Sequence, residues 1–160
     1  MFAAGGNAGF NLGTHLTGDE EVPARPTLAQ GQAIFRVSDD ERSVSYKLIV
    51  ANIENVFMAH IHLAPAGTNG MIVVWLHPST AVAPGLVGQG RIDGVIAEGT
   101  FTAANLVGPL ANQPLSALLA AIRSGGTYVN VHTNDGVAPT NTGPGDFPGG
   151  ELRGQLDHGR

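Results

Sequence analysis

The sequence contains no cysteine. Any metal it holds must therefore be taken by nitrogen and oxygen donors, because no thiolate is available. The absence also removes disulfides, without assigning the chain to a redox compartment. Charge is scarce: 13% of residues are Asp, Glu, Lys or Arg, against about a quarter in an ordinary soluble domain. The eight Lys and Arg are scattered and the formal net charge is −5. That excludes the basic stripe of a nucleic-acid footprint. Long apolar runs are missing too. Runs such as Met71 to Leu76 are far short of the roughly 18–20 residues that span a bilayer. No Gly-x-Ser-x-Gly, Walker loop, dinucleotide fingerprint or His-Glu-x-x-His occurs. The start, Met1 to Gly9, has neither a basic n-region nor an apolar h-region.

What is abundant is turn chemistry, with 23 Gly and 10 Pro in 160 residues. Short strand-like segments follow one another at the spacing of an all-β domain. They run near 12–17, 32–38, 43–50, 55–63, 71–77, 127–133 and 151–157. Two weaker strands, about 87–92 and 95–101, are expected on either side of Asp93-Gly94. In 43–50, Val44, Tyr46, Leu48 and Val50 alternate with Ser43, Ser45 and Lys47, which marks a half-buried strand. Met71 to His77 is expected to be buried on both faces. One helix interrupts the pattern at about 113–123. Leu115, Leu118, Leu119 and Ile122 recur at helical spacing, with Pro114 at the first position and Gly125-Gly126 after the end. Gly70 closes the turn cluster 65–70 and is expected to supply a positive φ. The fold expected is an antiparallel β-sandwich of Ig-like or Greek-key type with one added helix. Residues 1–11 are expected to form a flexible leader, 12–157 one domain, and 158–160 a tail.

Two histidines one residue apart, His60 and His62, carry the chemistry. Alternation along a strand puts both imidazoles on one side, with Cβ atoms roughly 6–7 Å apart. Both rings then reach one ion at about 2 Å. Phe57, Ala59, Ile61 and Leu63 form the opposite, apolar face. A third histidine, His132, ends the run Tyr128-Val129-Asn130-Val131-His132. Copper suits three imidazoles best, iron usually adds a carboxylate, and zinc is the weaker fit. His77 shares strand parity with Trp75 and is the candidate fourth ligand. His15 is a weaker candidate, and His158 lies at the terminus. The bland alternative is that these are polar residues on a solvated sheet face. Glu21 and Glu151 either orient a ligating ring or pair with Arg153. Asn130 either bonds within the site or pins a loop.

The blocks Leu16-Thr17-Gly18-Asp19-Glu20-Glu21-Val22-Pro23, Gly31-Gln32-Ala33, Ala59-His60-Ile61-His62, Asn130-Val131-His132-Thr133 and Gly150-Glu151-Leu152-Arg153-Gly154-Gln155-Leu156 resemble the CHRD domain. That module is repeated in chordin and found singly in many bacterial proteins. The resemblance covers residues 12–157 and implies a secreted, periplasmic or surface-exposed domain. The stretch between His132 and Gly150 is longer than the family turn. A second resemblance is to the copper site of Cu/Zn superoxide dismutase, a β-sandwich with a His-x-His pair and a later strand-end histidine. It implies dismutation of superoxide, with Arg153 as the catalytic anion guide; the cysteines and zinc ligands of that enzyme have no counterpart here. The functional expectation is a secreted copper protein on His60, His62, His132 and His77 that dismutates superoxide. The alternatives are a non-enzymatic extracellular binding module with a protein ligand, or a copper storage or delivery protein. A homo-oligomer is a further expectation.

Overall fold

The computed structural model describes residues 9–79 and 82–157. The expected leader therefore falls almost wholly outside the described residues, as do His158 and the tail 158–160. The strands are β1 (Asn11–Thr17), β2 (Gln30–Val37), β3 (Ser43–Glu54), β4 (Val56–Leu63), β5 (Met71–His77), β6 (Arg91–Thr102), β7 (Thr127–Thr133) and β8 (Leu152–Leu156). One helix, α1 (Leu115–Arg123), precedes β7. All pairings are antiparallel, in the order β5-β4-β7-β8-β1-β2-β3-β6. The fold is all-β, as expected.

The β8–β1 junction rests on a single pair, Thr17 opposite Arg153. There the sheet bends, so that β1-β2-β3-β6 faces β5-β4-β7-β8 across a shared apolar core. Tyr46 of β3 crosses that core and donates its hydroxyl to the Leu76 carbonyl of β5 at 2.8 Å. In β2 and β3 alternate residues are buried, Ala33, Phe35 and Val37 against Val44, Tyr46, Leu48 and Val50. The α1 stripe of Leu115, Leu118, Leu119 and Ile122 packs on the same core. Gly125, at φ +73°, ends the helix.

The two weak strands expected near 87–92 and 95–101 are one continuous strand, β6. Asp93-Gly94 lies inside it as an irregularity, with the β3 register shifting beside it. Gly94 at φ +112° bends the strand without ending it, which the sequence signature of a turn does not distinguish. Pro114 caps α1 from just outside the helix instead of sitting at its first position. Strand β5 is an edge of the sheet and only partly buried: Met71 is 64% exposed, while Val73, Val74 and Leu76 are fully buried. In the 65–70 turn the positive φ belongs to Gly67. Gly70 is needed for another reason, since a Cβ there would collide with the Leu63 carbonyl.

Within the β5-β4-β7-β8 layer, β4, β7 and β8 are buried on both sides. Ala59, Ile61, Val129, Val131, Leu152 and Leu156 face the core. The opposite face carries His60, His62, Tyr128, Asn130, His132 and Arg153, all buried as well. Loops over 18–29, 64–70 and 134–151 cover it. Asn55, the single residue between β3 and β4, ties the cover down at φ +57°. Its side chain donates to the Gly145 carbonyl at 3.1 Å and accepts from Gly90 N at 2.8 Å.

Tyr46→Phe is expected to lower stability by about 1–3 kcal/mol, because the buried Leu76 carbonyl then loses its donor. Urea denaturation of the two proteins checks this; equal midpoints would show that the cross-layer bond contributes nothing.

Candidate metal centre

Register brings the three expected histidines together. On β4 and β7, His60 stands opposite Asn130, Met58 opposite His132, and His62 opposite Tyr128. The imidazoles of His60, His62 and His132 offer one nitrogen each within 4.8 Å of one another. Ring centroids are 5.4 Å apart for His60–His62, 5.0 Å for His60–His132 and 5.9 Å for His62–His132. The rings are 0%, 7% and 5% exposed respectively. They do not lie on a solvated sheet face.

Two backbone carbonyls settle the tautomers, because a carbonyl only accepts. His62 Nδ1 donates to Gly70 O at 2.9 Å, and His132 Nδ1 donates to Pro148 O at 2.8 Å. Each ring therefore turns a bare Nε2 inward. His60 Nδ1 meets the Nε2 of His132 at 3.1 Å. His60 Nε2 and His62 Nε2 are buried with no hydrogen-bond partner. In His62 and His132 a carbonyl behind the ring leaves an inward lone pair, the arrangement a metal ion requires of histidine ligands. The residues present fit a metal ion.

Burial is the main reason these rings stay neutral. It pushes His60 down to about 2, with the neighbouring His132 and His62 adding to the effect. It pushes His132 to about 4 against the opposing Pro148 bond. His62 is lowered for the same reason, with Gly70 and Asn130 opposing.

Aromatic rings wall the cluster. Trp75 stands edge-on to His60 at 4.2 Å, Phe57 edge-on to His132 at 6.4 Å, and Tyr128 stacks on His62 at 4.8 Å and 6°. Arg153 lies on the other face of Tyr128, its Cζ 3.5 Å from the ring centroid. Its Nη1 donates to Asn69 Oδ1 at 3.1 Å. Its Nη2 donates to the carbonyls of Pro65 and Thr68 at 3.1 and 2.8 Å. With 1% exposure, Arg153 is a buried clamp on the loop that carries the Gly70 carbonyl, and not a solvent-facing charge.

The other candidates separate. His77 is not drawn into the cluster. Strand β5 slips against β4 on both sides of His60, which breaks the parity argument, and His77 stands opposite Ala59, beside Ile96 of β6, instead. His15 is exposed on β1. Glu151 is fully buried and accepts from Thr27 Oγ1 at 2.7 Å, Thr133 Oγ1 at 2.5 Å and Gly145 N at 2.8 Å. It anchors the long 134–150 loop and touches no histidine. Glu21 hydrogen-bonds Asn130, and burial raises it to about 7 against the pull of Arg153. Tyr128, Trp75 and the carbonyls of Gly70 and Pro148 had no role in the sequence reading. Cross-strand register exposes the first two, and no residue-type signal marks a backbone carbonyl.

These groups give a pH dependence of known sign for the metal-free protein. His60 and His132 lie below the unfolded value of about 6.5, so the unfolded chain takes up protons the folded one refuses. Their contribution is complete above pH 6.5 and declines as pH falls toward the folded values. Glu21 works oppositely: the folded chain keeps its proton between about 4.5 and 7, so it loses stability as pH rises through that window. Between pH 4.5 and 6.5 the histidines outnumber it, and stability rises with pH. Glu21→Gln should steepen that rise by about 1.4 kcal/mol per pH unit. Chemical denaturation at several pH values measures the slope, and an unchanged slope would remove Glu21 from the account.

The chain matches the CHRD domain family over residues 12–156. No curated protein and no solved structure matches it, so the likeness to the copper site of Cu/Zn superoxide dismutase gains no support from that side. The match spans β1 through the end of β8 and includes all three clustered histidines: this chain is a member of the CHRD domain family.

Proposed function

We propose that this CHRD domain is an extracellular binding module that holds one copper ion on His60, His62 and His132. The observation that carries the reading is the pair of buried, unpartnered nitrogens, His60 Nε2 and His62 Nε2, within three neutral imidazoles. A buried acceptor left unmade costs roughly 1–3 kcal/mol, and an ion taken there offsets that cost. An all-imidazole set with no thiolate favours copper over iron and zinc. Bound copper would supply one-electron redox chemistry. The protein's part is positional: Gly70 and Pro148 fix two rings, Trp75 and Phe57 keep water from the ring edges, and Arg153 holds the Gly70 loop. Extracellular placement and a protein partner rest on family membership. Storage or delivery of copper would use the same residues.

Dismutation of superoxide is the second reading. It is favoured by the shallow cover, since His62 and His132 keep 7% and 5% exposure and the centre lies just beneath the surface. Arg153 would then act through its field, which reaches His62, and not by meeting the anion.

Copper titrated into metal-free protein should bind at one equivalent and quench Trp75, the chain's sole tryptophan, whose ring touches His60 at 4.2 Å. His62→Ala should lose both the quenching and the metal; unchanged uptake would sink the site. Superoxide decay with loaded and metal-free protein then separates the two readings. Acceleration toward about 10⁸–10⁹ M⁻¹s⁻¹ in the loaded form alone establishes the enzyme, and none leaves the binding module.

A further inference from the structure

We infer that the side-chain oxygen of Asn130 is a fourth, oxygen donor to the ion held by His60, His62 and His132, and that Glu21 sets it in place. The inference deepens the metal-holding reading and rests on it. Asn130 lies on β7, opposite His60 and two residues from His132. Opposite residues share a face, so its side chain enters the same buried layer as the rings. It is 2% exposed.

The orientation of its amide follows from its neighbours. A Cβ built on Gly150 would meet both Glu21 Oε1 and Asn130 Nδ2, so the amide nitrogen, a donor, is the end on the side of the Glu21 carboxyl, which accepts in either protonation state. Gly150 makes room for this pairing. At φ +125° it carries no Cβ, and one there would collide with Glu21 Oε1 and approach Asn130 Nδ2 to 2.7 Å. With the nitrogen on the Glu21 side, the oxygen is left for the histidine side.

Asn130 Oδ1 is buried without a hydrogen-bond partner, and so is His62 Nε2. The His62 ring proton is committed to Gly70 O through Nδ1. Both orphaned atoms are therefore acceptors, with no proton between them. Two buried lone pairs in one polar layer are unfavourable alone and favourable around a cation. A proton on Nε2 would leave a charged imidazolium in a site where burial disfavours it. A metal ion satisfies both atoms at once. Glu21 is thus a positioning residue and not a ligand. The cluster of groups within 4.8 Å contains the three histidines and no carboxylate among the described residues.

The test uses the full chain loaded with Cu(II), read by affinity and by the Cu(II) electron paramagnetic resonance spectrum, with the metal-free melting temperature as a check on folding. Asn130→Leu keeps the volume and removes the oxygen. It should still take one copper through the histidines, with affinity lowered roughly 10–100-fold, the scale of losing a partner at a metal centre, and with altered hyperfine splitting. Asn130→Asp keeps shape and oxygen and should hold copper within a few-fold of wild type. Glu21→Ala should shift the spectrum in the direction of Asn130→Leu, and Glu21→Gln, which still accepts from the amide, should restore it. Wild-type affinity and spectrum in Asn130→Leu would overturn the inference while leaving the three-histidine site standing. If Asn130→Leu does not fold, Asn130→Asp decides: a folded Asp variant that loses copper overturns it, and retained loading upholds it. Wild-type protein that takes up no copper would instead overturn the metal-holding reading itself.

Discussion

The register between β4 and β7 is the constraint on which the rest depends. It places His60 opposite Asn130 and Met58 opposite His132, so that two imidazoles from one strand meet one from the other. A slip of one residue would turn every one of these side chains into the apolar core and bring Ala59, Ile61, Val129 and Val131 out. The core forbids that slip, because Ala59, Ile61, Val129 and Val131 are all fully buried. The apolar side of the layer therefore specifies the geometry of the polar side. Packing and site are two faces of a single pairing.

A sheet layer buried on both faces is unusual when one face is polar, since each polar group must find a partner or lower stability. The loops supply those partners. The 64–70 turn brings the Gly70 carbonyl to His62 and takes three hydrogen bonds from Arg153. The 134–150 loop brings the Pro148 carbonyl to His132 and is held by Glu151 and Asn55. Two buried charged residues thus serve the cover, and the cover serves the rings. The atoms left over after this accounting include His60 Nε2, His62 Nε2 and Asn130 Oδ1, on facing strands of one layer. Buried acceptors gathered in one place are an arrangement that suits a cation.

Much of this was legible in the residues. Alternation in 43–50 and 59–63 marked the buried faces, the helical stripe marked α1, and His-x-His with a later strand-end histidine marked the cluster. Phe57, counted on the apolar face, stands beside His132 instead, because the register shifts between Val56 and Met58. The failures share a cause. His77 was assigned by counting parity along β5, but the irregular pairing beside His60 cancels that count. Asp93-Gly94 carries turn chemistry yet sits within β6, because pairing to β3 overrides a local signal. Arg153 looked like a guide for anions since nothing in its own neighbourhood of sequence reveals that residues 65–69 fold over it. Contacts made across 84 to 88 residues are not encoded in any local pattern.

The same distance argument bears on what the long loop after His132 is for. It is held by Asn55 from the β3–β4 junction and by Thr133 and Glu151 at its two ends, and Thr27 in turn holds Glu151. A surface decoration does not need a fully buried carboxylate with three donors to hold it. The loop sets the Pro148 carbonyl on His132, and that bond fixes which nitrogen of the ring faces inward. Extra length there adds little loop-closure entropy, which grows only logarithmically. In exchange it excludes water from an imidazole that burial already keeps neutral. The loop is thus part of the cover over the histidine cluster, and its anchoring sets the tautomer and direction of the His132 ring.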